Sequence, residues 1–199
     1  MHIHIAILNM GWINVGLAAT INQLILTHRT HRLSIVYTGL GMERRPISSN
    51  RNCIVRDCPQ DADALCMIDA DIVPPLNFLE AYSGEDILGL PMPIYRNGAI
   101  CTGITPLDER GVQPVGEMSV VECSGVAGGV FFINRRVFGA PGLRFDDAFD
   151  DQGVLTSTEE YVYCHRAREL GFRVWAHLGY PLSHIKEIDI REIWEAMTE

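Results

Sequence analysis

The sequence is short of basic charge. Its 16 Lys and Arg stand against 25 Asp and Glu, a formal net charge of −9 at pH 7, and no dense Lys/Arg tract offers the footprint that nucleic acid or an anionic membrane needs. Direct nucleic-acid binding is therefore not expected, and a polyanionic ligand requires a cation as intermediary. The six cysteines, at 53, 58, 66, 101, 123 and 164, include no C-x-x-C pair and no second cluster at zinc-ligand spacing, so they read as reduced thiols. No apolar run approaches the ~18 residues of a membrane span, and Met1 to Met10 lack the basic start, apolar stretch and cleavage site of a signal peptide. The expectation is a cytoplasmic chain without a transmembrane segment. Internal repeats, low-complexity tracts and linkers are also missing, and 199 residues that are 47% hydrophobic suit one core and a single domain, residues 1–199.

What is present alternates between two periods. Ile3 to Leu8 make a β-branched run that ends in turn chemistry at Asn9-Met10-Gly11. Leu17, Ala18, Ile21, Leu24 and Ile25 recur at three- and four-residue intervals, which predicts a helix from about Asn14. A strand at Leu33 to Tyr37 follows, then a loop from Thr38 to Asn50 and a short helix around Arg51 to Cys58 with Ser48, Ser49 or Asn50 as its cap. Ala64-Leu65-Cys66-Met67-Ile68 is continuously apolar between acidic flanks, as a strand buried on both faces should be.

Strand, helix, strand, helix, strand implies right-handed crossovers and an α/β fold, a mixed, mostly parallel sheet flanked by helices. Its ligands belong beyond the carboxyl ends of the strands. Further strands are predicted at Ile87 to Leu90, Ile100 to Ile104, Val120 to Cys123, Val130 to Ile133 and Phe172 to Ala176, with helices at Ser157 to Leu170 and in the tail from Lys186.

Asp69 and Asp71 flank one small residue, Ala70, immediately after the buried strand. Two carboxylates leaving a rigid element are hard oxygen donors suited to Mg²⁺ or Mn²⁺ bridging to phosphate oxygens. A bare D-x-D is more often a solvated turn; its place after a buried strand and before Ile72-Val73-Pro74-Pro75 makes it a candidate site.

Here the sequence resembles the glycosyltransferases of A-type fold, particularly the family-2-like group. The resemblance is carried by Cys66-Met67-Ile68-Asp69-Ala70-Asp71-Ile72-Val73-Pro74-Pro75, by Arg51-Asn52 on the preceding helix, and by Glu159-Glu160 through Cys164, Arg166-Ala167 and Gly171-Phe172. It implies a metal-dependent transferase moving a sugar from a nucleotide-sugar donor, UDP-linked, to a hydroxyl on a glycan, lipid, protein or small-molecule acceptor.

The donor would touch Asn9, Met10, Gly11, Asp69, Ala70 and Asp71, with Arg51 meeting either the diphosphate or a carboxylate. The metal would be held by Asp69, Asp71 and His184, with His177 as the rival for the third place. Glu160 stands where the resemblance places the general base and implies inversion. The pattern Ser157-Thr158-Glu159-Glu160 also fits a helix capping box; were Glu160 the cap, Glu159 would become the base. Gly128 and Gly129, in a small-residue segment before a strand, are the candidates for the acceptor and sugar pocket.

Two rivals accompany this reading. A sugar-1-phosphate nucleotidyltransferase shares the metal and the sheet, but Asn9 to Val15 contain no basic residue for its phosphate loop. A non-catalytic nucleotide-sugar or glycan-binding module would keep the site without turnover. The acidic loop Asp146, Asp147, Asp150 and Asp151 breaks the EF-hand pattern and reads as a solvated loop, with a flap that orders over the acceptor as the alternative.

Overall fold

The first strand sets the centre of the molecule. All seven residues of β1 (His2–Leu8) are buried, the isoleucines at 3, 5 and 7 facing one layer and Ala6 and Leu8 the other. The structure is a computed structural model and describes residues 1–8, 12–37, 46–96, 99–107 and 118–186. The predicted donor contacts Asn9, Met10 and Gly11, and nearly all of the predicted tail helix, lie outside these residues.

After β1 come α1 (Val15–Thr27), β2 (Arg32–Tyr37), α2 (Ile47–Asp57), β3 (Ala64–Asp69) and the two-residue β4 (Ile72–Val73). Then follow a 3₁₀ turn at Phe78–Ala81, β5 (Ile87–Gly89), β6 (Ile94–Arg96), β7 (Ala99–Cys101), β8 (Ile104–Pro106), β9 (Val120–Val126) and β10 (Val130–Asn134). The chain closes with α3 (Arg135–Phe138), β11 (Ala148–Phe149), β12 (Leu155–Ser157), α4 (Glu159–Glu169), β13 (Val174–His177) and β14 (Ser183–His184).

Eight of these strands form one sheet in the order β2-β1-β3-β10-β5-β13-β9-β8. β1, β2, β3, β5, β13 and β8 run one way, and β10 and β9 run the other. The sheet is therefore mixed and mostly parallel in direction, with helices on both faces. Adjacent Phe131 and Phe132 on β10 point to opposite faces and enter separate cores. On one face Phe132 stacks on Tyr82 at 5.0 Å; on the other Phe145 stacks on Tyr163 at 4.1 Å, contacts of the kind that add about 0.5–1.5 kcal/mol beyond area burial.

Helix α1 covers the first face through Leu17, Thr20, Ile21 and Leu24, and Asn14 caps it by accepting from Gly16 N at 2.7 Å. Helix α2 starts four residues earlier than predicted. Pro46 is its N-cap and makes no side-chain cap bond, so Ser48, Ser49 and Asn50 lie inside the helix instead of capping it. The predicted strand Ile100 to Ile104 is broken in two: Gly103 adopts φ +66 between β7 and β8, a left-handed conformation that ends a strand and favours glycine. Pairs β6/β7, β11/β12 and β4/β14 form small ribbons outside the main sheet. Strands of two or three residues leave too little periodicity in the sequence to be read there.

Candidate active site

β3 ends at Asp69, beside β1 and opposite β10, so the turn Asp69-Ala70-Asp71 leaves the sheet at the carboxyl ends of its parallel strands. Main-chain bonds fix that turn. Asp69 N donates to Gly129 O at 3.1 Å, Asn14 N to Ala70 O at 2.8 Å and Ile185 N to Asp71 O at 2.9 Å. Three distant segments thus close on three consecutive residues.

Asp71 and His184 converge. β14 pairs antiparallel with β4 and sets His184 opposite Ile72, which brings His184 Nε2 to 3.2 Å from Asp71 Oδ2. The other ring nitrogen, Nδ1, lies 2.8 Å from the Pro93 carbonyl. A carbonyl only accepts, so Nδ1 carries the hydrogen, and Nε2 is the ring nitrogen that faces the carboxylate. An imidazole anchored through Nδ1 on a carbonyl, with Nε2 beside a carboxylate, is an arrangement that metal-binding histidines adopt. In the structure the ammonium of Lys186 pairs with the same Asp71 oxygen. His177, the rival third ligand, is instead buried in β13 with its ring on Tyr180 and its Nδ1 accepting from Gly179 N.

Asp69 is held differently. Its Oδ1 takes Arg51 Nη2 at 2.9 Å, while Arg51 Nε reaches Glu159 Oε1 at 3.0 Å. Arg51 is only 2% exposed and also donates toward Gly128 O at 3.4 Å. In the structure Arg51 meets two carboxylates. Burial opposes the guanidinium's charge, but Asp69, Glu159 and Glu160 outweigh it and keep it protonated. Burial also raises the Asp69 carboxyl to about 6, against the pull of Arg51. The three predicted metal ligands therefore divide, Asp71 and His184 together and Asp69 on Arg51. Among the described residues no three His, Cys, Asp or Glu side chains cluster as a ready metal site. The donor set fits a cation that keeps one carboxylate and one imidazole and takes its other ligands from phosphate and water.

Asn52 and the glycine pair have packing roles as well. Asn52 clamps the main chain of Phe145, donating to its carbonyl at 2.7 Å and accepting from its amide at 2.9 Å. A Cβ on Gly128 would stand 2.3 Å from Arg51 Nη2, and one on Gly129 2.4 Å from Met92 Sδ. The glycine pair predicted to line a sugar pocket thus makes room for the buried arginine and for Met92.

The first turn of α4 separates the two glutamates. Ser157 belongs to β12, and the N-cap Thr158 makes no side-chain cap bond, so the predicted capping box does not form. Glu159 is buried against Arg51. Glu160 lies on the wall of an open cavity of about 640 Å³, together with Ser124, Gly125, Leu155, Tyr161 and Arg168. Burial and the adjacent Glu159 push Glu160 up to about 7, against Arg51 and a hydrogen bond from Thr158. Sequence reasoning named Glu160 but not the rest of this wall, because β6 and β12, which help to build it, are too short to carry a readable period. The helical spacing of Glu160, Cys164 and Arg168 was the one signal available. The acidic loop is a hairpin: Asp150 Oδ1 accepts from Gln152 N and Val154 N, and Asp146 pairs with Arg144 and Arg166.

The arrangement is a mixed α/β fold like that of glycosyltransferase A-type structures. No protein-family model and no curated protein matches the sequence. Among solved structures the chain is similar to A197 from STIV, with a TM-score of 0.59 and 18% identity over 94% of this chain and 87% of that one. A mutant of Drosophila β1,4-galactosyltransferase 7, in complex with manganese, UDP-Gal and xylobiose, gives a TM-score of 0.53 and 14% identity over 94% and 71%. The inositol-1-phosphate CTP transferase of T. maritima gives 0.51 and 10% over 99% and 94%. At these identities the likeness is one of fold. Among the described residues no helix is long and apolar enough to cross a membrane.

Proposed function

We propose that the chain is a metal-dependent glycosyltransferase that moves a sugar from a nucleoside-diphosphate sugar, UDP-linked, to a hydroxyl acceptor with inversion. The observation that carries this reading is the pairing of Asp71 with His184 at 3.2 Å, the imidazole anchored on Pro93; Arg51 links Asp69, two residues before Asp71, to Glu159, the neighbour of the Glu160 that lines a cavity. Asp71 and His184 would hold Mn²⁺ or Mg²⁺, which when bound offsets the charge growing on the departing diphosphate. Asp69 and Ala70 orient the donor beside it. Lys186 leaves Asp71 when a cation binds and offers its ammonium to the diphosphate.

Glu160 takes the proton from the acceptor hydroxyl as the new C–O bond forms. A carboxylate raised by burial is a better base than an ordinary one. Glu159 is excluded from that part by its ion pair with Arg51 and acts by fixing the first turn of α4. Arg51 thus works on both sides of the reaction through its two carboxylates. Cytoplasmic placement and a single domain over residues 1–199 complete the reading.

The test is a panel of nucleotide-sugars with Mn²⁺, followed by thermal stabilisation and sugar release, for wild type and Asp71→Ala. Stabilisation by a UDP-sugar that depends on both Mn²⁺ and Asp71 is expected. Indifference to metal and to Asp71 removes the proposal. The fold likeness to a CTP transferase keeps one rival worth an arm of the same experiment: incorporation of pyrophosphate into nucleoside triphosphate would mark a nucleotidyltransferase. Donor binding without turnover by the wild type, with any acceptor, would mark a binding module.

A further inference from the structure

We propose that the acceptor is a polyhydroxylated molecule carrying an anionic group, and that Arg168 is the residue that binds this group; the inference rests on the glycosyltransferase reading of the same cavity. Helix α4 forms one wall of that cavity, with Glu160 near its start and Arg168 near its end. Eight residues of α-helix rise about 12 Å, so the base and the cation mark the two ends of a bound acceptor several ring atoms long.

Several hydroxyls of the cavity wall have their hydrogens engaged. Ser124 Oγ donates its hydrogen to the carbonyls of Thr105 and Pro106 at 3.0 and 2.9 Å, Tyr161 Oη to Gly103 O at 3.1 Å and Thr156 Oγ1 to Ala148 O at 3.1 Å. A hydroxyl whose hydrogen is engaged has only lone pairs left for a ligand. Such a surface suits a ligand rich in O–H donors and repels an anion. The exception is the far end. Arg168 lines the cavity, is exposed, and has no ion-pair partner among the described residues; Glu122, whose charge it feels, is already taken by Arg173. His165 stands on the same wall with Glu169 at 3.4 Å.

Charge distribution points the same way. Glu160 is the one acid and Arg168 the one arginine or lysine among the described residues that line this cavity, near opposite ends of α4. An unpaired guanidinium offers five N–H donors in a fork that matches carboxylate or phosphate oxygens. A uronic acid and a sugar phosphate share that chemistry.

The experiment measures binding of glucuronate, glucose 6-phosphate and glucose by the full chain saturated with UDP and Mn²⁺, using ligand-observed NMR. Wild type, Arg168→Gln and Arg168→Lys are compared after equal ligand-free melting temperatures are established. At least one anionic sugar is expected to bind about tenfold or more tightly than glucose, with the advantage lost in Arg168→Gln and kept in part in Arg168→Lys. Whichever of the two binds identifies the anion as carboxylate or phosphate. Equal binding of all three sugars, binding of none, or an advantage that survives Arg168→Gln overturns the proposal. UDP binding by the wild type is measured separately, so that failure of the glycosyltransferase reading appears there and failure of the anion site does not.

Discussion

Arg51 joins the two chemical halves of the molecule, since one guanidinium meets Asp69 at the end of β3 and Glu159 at the start of α4. Removing it leaves two carboxylates against apolar surroundings without a counter-charge. Arg51→Met should cost about 3–5 kcal/mol in urea unfolding, and Arg51→Lys most of the same loss, because a single ammonium lacks the fork that reaches both partners. Gly128→Ala, with its Cβ 2.3 Å from Nη2, should cost about 1–3 kcal/mol by displacing the same group. Full stability in Arg51→Met would mean the network holds nothing together. Glu160 gives a prediction of the opposite kind. Its carboxyl is raised from 4.5 to about 7, so the folded state binds the proton more tightly than the unfolded chain. The stability this group contributes is complete below pH 4.5 and is lost as pH rises through 7. Glu160→Gln keeps the neutral form, so its melting temperature should exceed that of wild type by a margin that is small near pH 4.5 and grows to pH 8. The same variant should lose transfer activity by about 10²–10⁴-fold, while wild-type activity rises with pH to a plateau above about 7. A margin that shrinks with pH would overturn the burial argument.

The element that delivers the proposed second metal ligand is a ribbon of two residues per strand, and its register decides where His184 lies. Ser183 pairs with Val73 and His184 with Ile72, and the next amide, Ile185 N, donates to Asp71 O at 2.9 Å. Ile185→Pro removes that donor at an exposed position, so it should loosen the imidazole without opening the core. Mn²⁺ affinity in the presence of UDP, read by the loss of the free-ion EPR signal, should fall about 10–100-fold. An unchanged affinity would mean that β14 does not position the ligand. This ribbon also marks the limit of what the sequence contained. β1, α1, β2 and β3 were legible because seven, thirteen, six and six residues are long enough to display a period of 2 or 3.6, or an unbroken apolar run. His184 was legible only through resemblance, since nothing in Ser183-His184 signals a strand. Pro46 as a helix start was missed because a proline just ahead of Ile47 reads equally well as loop. The separation of Glu159 from Glu160 was invisible for another reason: both sit in one helical turn, and only the tertiary place of Arg51 distinguishes them.

At the scale of the whole molecule, the parallel arm β2-β1-β3 and the mixed arm from β10 to β8 meet at β3, and the candidate site lies along that seam. Asp69 and Asp71 come from the parallel arm, whereas Gly129 precedes β10, Glu160 follows β12 and His184 sits in β14. That β1, β2 and β3 run parallel followed from alternating sequence periods and right-handed crossovers. The position of β10 between β3 and β5, antiparallel to both, did not, because non-local pairings leave no local pattern. A site assembled from both arms should be coupled to global folding: whatever bridges the seam stabilises the native state by the logarithm of its concentration over its dissociation constant. UDP and Mn²⁺ supplied together at one hundred times their joint dissociation constant should contribute about 2.7 kcal/mol, a rise in melting temperature of about 5–10 °C for a chain of this size. Mn²⁺ alone should give far less, since Asp71 and His184 are two donors and the remaining ligands must come from phosphate and water. Asp71→Ala should reduce the combined effect to that of UDP by itself. A combined effect that equals the sum of the separate ones, unaltered in Asp71→Ala, would place nucleotide and metal at unrelated sites and dissolve the coupling across the seam.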